Sequence, residues 1–390
     1  MLRPVSVALI ILCQSTQALI YGGIALFLPL IRDDIGLSFT QAGTLAAAST
    51  IVYALMQIPS GYLADRIGAK RMFLIGLIGT NLLAFSFAQL HQYSLLLANQ
   101  ALSGCFRSLL FAPGLLLLSA LFPPQRRATA LGLYVAGGFS SNVFLSALGP
   151  LLVGPVGWRN LFMIFSTGGI LILLLYWRFG SPGPQGSGKE QMPIRNILRL
   201  FRYRLLWMIG AIQYVRLAVV SGLSFWLPTF IVVEKGYSLQ IAGLLVALGA
   251  ALTAPSNFLG GYVSDRLRSP LLVIGTSLTM LSITTVLLVH VHSLWLLLAV
   301  FAVNGIFVQF YFGPLFAVSI QMLGPRTAGL TSGVGNFFAN LGAVTFAYLL
   351  GAIRDTTGSF SIGLYSLSGL CLVGLLCTIA LSRMQPIDAM

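Results

Sequence analysis

Charge is scarce in this 390-residue chain: 8% of its residues are Asp, Glu, Lys or Arg, where about 25% is usual for a soluble domain. A soluble protein of this length could not cover its surface with so few. Only eight residues are acidic and three are histidine. No nucleotide-binding loop, metal-ligand cluster or catalytic-triad spacing occurs, which argues against an enzyme, a cofactor and ATP-driven transport. Four cysteines (Cys13, Cys105, Cys371, Cys377) lie in apolar runs without ligand spacing, so they read as small core residues, neither disulfides nor metal ligands. Fibrous and disordered classes are excluded too, because no short repeat dominates and Phe, Leu and Ile are plentiful.

Hydrophobic residues fill the gap, at 57% of the chain. A helix needs about 20 apolar residues to cross the hydrocarbon core of a bilayer. On that measure the sequence predicts twelve spans, centred near residues 18, 52, 80, 108, 140, 168, 218, 250, 280, 308, 340 and 371. The first apolar run, from about Val5 to Ile31, exceeds a signal-peptide core and is expected to remain as a span. One long polar stretch, with Gly, Pro and Ser from Ser181 to Lys189 and a basic run after it, divides the chain six plus six. The expected halves are 1–178 and 204–390, joined by a cytoplasmic linker over 179–203.

The net charge of +14 would suggest nucleic acid in a soluble chain. Here it sorts by side instead. Sixteen Lys and Arg fall in loops on the side of the N-terminus, and four (Arg32, Arg159, Lys235, Arg354) fall opposite. The positive-inside rule therefore puts both termini in the cytoplasm. A multi-pass protein of a bacterial inner membrane is expected, a monomer whose surroundings are lipid, with no nucleic-acid partner. Arg107 and Arg216 belong to no loop.

The two halves repeat. Gly61-Tyr-Leu-Ala-Asp65-Arg66 returns as Gly261-Tyr-Val-Ser-Asp265-Arg266, and Phe27-Leu-Pro29 as Trp226-Leu-Pro228. Gly104-Cys-Phe106 with Pro113 returns as Gly305-Ile-Phe307 with Pro314. Aligned features at offsets of 199 to 201 residues point to internal duplication.

At the loop after span 2, Gly61-Tyr-Leu-Ala-Asp65-Arg66-Ile-Gly68-Ala69-Lys70-Arg71, the chain resembles the major facilitator superfamily of secondary transporters. The family pattern there is G-x-L-a-D-r-x-G-r-k-r, and only Ala69 departs from it. The resemblance covers nearly the whole chain. It implies an all-α membrane fold of two pseudo-symmetric six-helix bundles, a cavity between them lined by spans 1, 4, 7 and 10, and alternating access. It also implies a gating role for Gly61, Asp65, Arg66, Gly68 and Arg71, with Asp65 set against a helix N-terminus whose partial positive charge it neutralises. The alternative is that Asp65 caps span 3 and the basic residues set topology. Two family patterns are incomplete: span 4 has Gln100, not arginine, four residues before Gly104, and the span-5 signature of drug exporters keeps Gly149-Pro150 and Gly154 but has Leu145 and Val153 in place of glycines.

A charge at mid-bilayer is costly and marks a functional hypothesis by default. Arg107 and Arg216 lie about a dozen residues into spans 4 and 7, roughly 15–20 Å deep at 1.5 Å per residue. All eight acids lie in loops or at helix ends, so neither arginine has a carboxylate at its own depth. A guanidinium offers planar, bidentate donors to an oxyanion. The repeat puts Gln17 opposite Arg216 and Val308 opposite Arg107, so the helical frame itself requires neither. The expected substrate is a small anion, bound by Arg107 and Arg216 with Gln17 and Tyr21 of span 1, Gln213 and Tyr214 of span 7, and Asn304 and Gln309 of span 10. The alternative for each arginine is a structural bond to helix carbonyls.

Three functions compete. A secondary transporter of small organic or inorganic anions, by antiport or proton-linked symport, agrees with the two arginines. A multidrug exporter of neutral or anionic compounds is the alternative, and the missing mid-membrane acid speaks against cationic drugs. A sensor on the same fold would need an added signalling domain.

Overall fold

A computed structural model of the chain describes residues 2–122, 127–181, 204–315, 318 and 328–384. Among the described residues there are helices and turns and no strand. The helices are α1 (Leu2–Leu26), α2 (Leu28–Ile35), α3 (Phe39–Ile67), α4 (Ala69–Phe87), α5 (Tyr93–Ala120), α6 (Arg127–Val156) and α7 (Trp158–Phe179). They continue as α8 (Arg204–Thr229), α9 (Leu239–Leu267), α10 (Pro270–His290), α11 (Leu294–Phe310), α12 (Ala328–Thr357) and α13 (Ser361–Ser382). Among the described residues eleven helices are long and apolar enough to cross a membrane, and α6, with its apolar stretch Ser140–Val156, supplies the twelfth span. Every predicted centre falls inside one of these helices. The protein is an all-α, twelve-span membrane protein.

The duplication is visible in the backbone. α3 and α9 are each 29 residues long, and α7 and α13 each 22. The positive-φ residues pair in the same way: Gly36 (φ 74°) with Gly236 (72°), Gly157 (81°) with Gly358 (74°), and Gly68 (102°) with Arg268 (50°). After Gly36, the Ser38 hydroxyl accepts from Gln41 N–H at 3.1 Å while the Gln41 side chain accepts from Ser38 N–H at 3.0 Å. This capping box starts α3. Ser238 repeats half of it before α9, accepting from Ile241 N–H at 3.4 Å.

Spans 1 and 7 both break beside their repeated proline motif, span 1 at its first residue and span 7 just after its proline. Span 1 leaves helical geometry at Phe27 (φ −93°, ψ 8°) and resumes as α2, with Pro29 in its first turn. Span 7 carries Pro228 near the end of α8 and continues as a π-turn, Phe230–Glu234. Proline lacks an N–H and crowds the preceding turn, so the helical ladder opens at that point.

By packing, the chain forms two units. One is Met1–Lys189 with Ile231–Ala247, and the other is Glu190–Phe230 with Leu248–Met390. In the first, Leu9, Cys13, Phe73, Leu77, Leu110 and Tyr176 form a buried core where α1, α4, α5 and α7 meet. Tyr134 of α6 joins that core and donates its hydroxyl to Leu110 O at 3.0 Å. Arg159, in the first turn of α7, donates to Asp34 at 3.0 Å and to the carbonyls of Ala88 and Leu90 at 2.8 and 3.0 Å, which staples the C-terminal ends of α2 and α4 to the start of α7. In the second unit Trp226 is fully buried, stacks on Phe360 at 5.3 Å and donates to Ala347 O at 2.9 Å.

Candidate functional site

Arg107 is the fifteenth of 28 residues in α5, hence at mid-span. Its surroundings follow from a close helix crossing. Gly104, one turn earlier, faces the backbone of α3 at Ser49 and Tyr53, where a Cβ would collide with the Ser49 carbonyl. The missing side chain lets α3 and α5 touch, bringing Ser49 and Tyr53 beside the guanidinium. Arg107 Nη1 donates to Ser49 Oγ at 3.1 Å. Its central carbon lies 3.7 Å from the Tyr21 ring centre and 5.3 Å from that of Tyr53. Cation–π contacts of this kind contribute from about 0.5 kcal/mol at exposed sites to 2 or more when desolvated. The Nε is buried without a hydrogen-bond partner. One face of the charge is therefore covered by an aromatic ring, and one in-plane donor is left over.

Arg216 is the thirteenth of 26 residues in α8 and is 8% exposed. Its Nε donates to Gln213 Oε1 at 3.0 Å, one turn back on the same helix. Its guanidinium sits 4.8 Å from the Phe312 ring centre. Tyr311 lies within electrostatic reach, and its buried hydroxyl has no hydrogen-bond partner. Gly335 of α12 faces the Gln213 side chain, which a Cβ added at that glycine would just touch. Each arginine is thus partnered by neutral dipoles and ring faces. Neither has a carboxylate partner among the described residues; Asp33 and Asp34 pair with Arg32 and Arg159.

The other expected binding residues divide by surroundings. Tyr21 and Gln213 touch the two guanidinium groups. Gln17, four residues before Tyr21 on α1, and Gln309 on α11 are half-buried, as is Tyr214 next to Gln213. Asn304 is engaged elsewhere: its amide donates to Thr284 and Thr285 of α10 at 2.9 and 3.3 Å. That ties α11 to α10 and commits the hydrogens of its amide there. Ser49, Tyr53 and Phe312 escaped the sequence reading. Ser49 and Tyr53 had a signal in Gly104, a glycine mid-span that permits a close crossing; Phe312 had none.

The expected gate lies at the α3–α4 turn. Gly61 and Asp65 belong to the last two turns of α3, and the Asp65 side chain is outside the described residues. Arg66 and Arg71 are exposed. A single residue, Gly68, joins the helices at φ 102°, ψ 137°, a conformation open to glycine and strained for other residues. Ala69, the one departure from the family pattern, is 3% exposed, so an arginine there would need a different packing. Lys70 turns toward its own unit, donating to Gly180 O at 2.6 Å with the Tyr176 ring 5.4 Å away.

The family model described as Major Facilitator Superfamily matches residues 10–347 and 242–387. The probable nitrate/nitrite antiporter NarK1 of Thermus thermophilus is 30% identical over 251 residues, 60% of this chain and 55% of that protein, so the match spans little more than half of that relative. The D-galactonate transporter of Escherichia coli O6:H1 is 25% identical over 389 residues, 90% of this chain and 89% of the other. Among solved structures, a bacterial homologue of the human lysosomal transporter Spinster, inward-facing and occupied, superposes with TM-score 0.86 at 18% identity, covering 98% of this chain and 97% of that one. That likeness shows the fold.

Proposed function

The chain belongs to the Major Facilitator Superfamily, a family of transporters and not of enzymes, and on that premise we propose that it moves a small organic or inorganic anion across a bacterial inner membrane by alternating access. Arg107 and Arg216 each bind the anion, with Gln17, Tyr21, Gln213, Tyr214 and Gln309 around them. One observation carries this reading. Two arginines lie at mid-span, and neither has a carboxylate partner among the described residues. A buried charge without an opposite charge is costly, and an anionic cargo would supply one at each turnover. The relatives are named for anions, nitrate and nitrite in one case and D-galactonate in the other.

Exchange of one anion for another needs no proton relay, because the arginines are refilled at each cycle; a substrate arriving with its own proton serves as well. The halves 1–178 and 204–390 are the two bundles in this reading, both termini are cytoplasmic, and the loop from Gly61 to Arg71 gates the inner side. The test is thermal stabilisation of the purified protein by carboxylates, phosphate, nitrate, nitrite and common drugs. A ligand at 100 times its Kd stabilises by about 2.7 kcal/mol. Stabilisation by one anion class, lost in both Arg107→Ala and Arg216→Ala, is the expected result. Stabilisation by neutral or cationic drugs that neither substitution affects would refute it in favour of an exporter.

A further inference from the structure

A small pocket lies inside the first unit, between α1, α4, α5 and α7, with Arg107 in its wall. It has room for little more than one water-sized group. One wall is polar and comes from α5: Gln100, Ser103 and Arg107, at spacings of three and four residues, with Asn99 beside Gln100. Gln100 and Ser103 are 4% and 7% exposed. The opposite walls are apolar, with Ala84 and Phe87 of α4 and Phe162 of α7. Tyr21, 37% exposed, lines it too and lies over the Arg107 guanidinium.

Three donors belong to that polar wall. Arg107 Nε is buried and has no partner. Gln100 Nε2 uses one hydrogen toward Asn99 Oδ1 at 3.3 Å and retains a second. Ser103 brings a hydroxyl. With Nη1 held by Ser49 and one face stacked on Tyr21, the guanidinium is open to a ligand at its edge. A ligand in the guanidinium plane meets its donors best when it is itself flat. Apolar walls strengthen each of these hydrogen bonds by lowering the local dielectric.

We propose that this pocket is a specificity subsite for one oxygen of a planar oxyanion, a carboxylate, nitrite or nitrate group, and that Gln100, Ser103 and Ala84 set that preference. The inference rests on the anion reading of Arg107 and adds the shape of the group it receives. Ser103 supplies a hydrogen bond to the buried oxygen. Ala84 sets the room, since a larger residue on that wall would occupy the oxygen's place. A tetrahedral phosphate presents too broad a head for the pocket and stays outside it.

The experiment is titration of the purified full chain with nitrite, nitrate, acetate and phosphate, for wild type, Ser103→Ala, Ala84→Val and Arg107→Ala. Melting temperatures without ligand verify that each variant folds. Ser103→Ala and Ala84→Val should each weaken binding of the planar anions about tenfold and leave phosphate binding, such as it is, unchanged. Ala84→Gly, which removes a methyl group and narrows nothing, should keep planar-anion affinity near that of wild type. Planar-anion binding that needs Arg107 but is indifferent to Ser103→Ala and Ala84→Val overturns the subsite and leaves the anion reading standing. Equal weakening of phosphate and planar anions overturns the shape selection. Loss of nothing in Arg107→Ala overturns both.

Discussion

Gly68 and Arg268 stand 200 positions apart at the same turn, and they meet its demand differently. At φ 102°, ψ 137°, Gly68 occupies backbone space that costs other residues about 1–3 kcal/mol. Gly68→Ala should lower stability by that amount. Arg268, at φ 50°, bears the smaller penalty of the left-handed helical region. Arg268→Gly should raise stability by about 1 kcal/mol, and the melting temperatures of the two purified variants check both signs. The same scale shows what the sequence could reveal about the site. The arginines stood out because charge at mid-span is rare, and Tyr21 and Gln213 because helical spacing aligned them with other polar groups. Phe312 left no such mark: an apolar ring that faces a cation looks, in sequence, like any packing phenylalanine. Arg107→Lys should separate charge from shape, because an ammonium cannot at once stack on Tyr21, donate to Ser49 and offer a flat edge. Anion affinity is expected to drop at least about tenfold, and a lysine variant that binds as wild type would show that charge alone suffices.

Helices were the most legible elements, since twelve apolar runs fix them wherever they pack. Their contacts were less so. Gly104 illustrates why: the glycine is visible in sequence, but the helix it touches depends on the crossing of α3 and α5 in space. Gly342 does the same for α12, lying against the backbone of α8 at Tyr214. Gly104→Ala should cost about 1–3 kcal/mol, as overpacking a tight crossing does. Gly369→Ala on α13, where an added Cβ meets nothing within 4 Å, should stay within about 0.5 kcal/mol. Equal melting temperatures for the two variants would contradict the crossing described for α5. The breaks after Phe27 and at Phe230–Glu234 also went unread. The prolines were seen as marks of repetition, while a proline in an apolar run can equally kink a helix or leave it continuous.

For the whole molecule, the twelve-span count fixes a weave that can be tested from outside intact cells. In a background with the four native cysteines replaced, a cysteine at Lys235 should react with a membrane-impermeant thiol reagent. Cysteines at Arg66 or Arg383 should react after the membrane is opened. The reverse pattern would invert the orientation drawn from sixteen basic residues against four. Duplication accounts for the scaffold, as the paired turns and equal helix lengths show, yet it placed neither arginine, whose counterparts are Val308 and Gln17. Those two cations have an electrical consequence. A unit charge moved through a potential of 100 mV changes free energy by about 2.3 kcal/mol. On the proposed anion reading, an empty protein that reorients carries the arginine charges uncancelled, whereas a bound anion offsets part of them. Loaded and empty forms should then feel the membrane voltage unequally, and in proteoliposomes an imposed potassium diffusion potential should change the rate of net uptake more than the rate of anion-for-anion exchange, in which the empty form need not reorient.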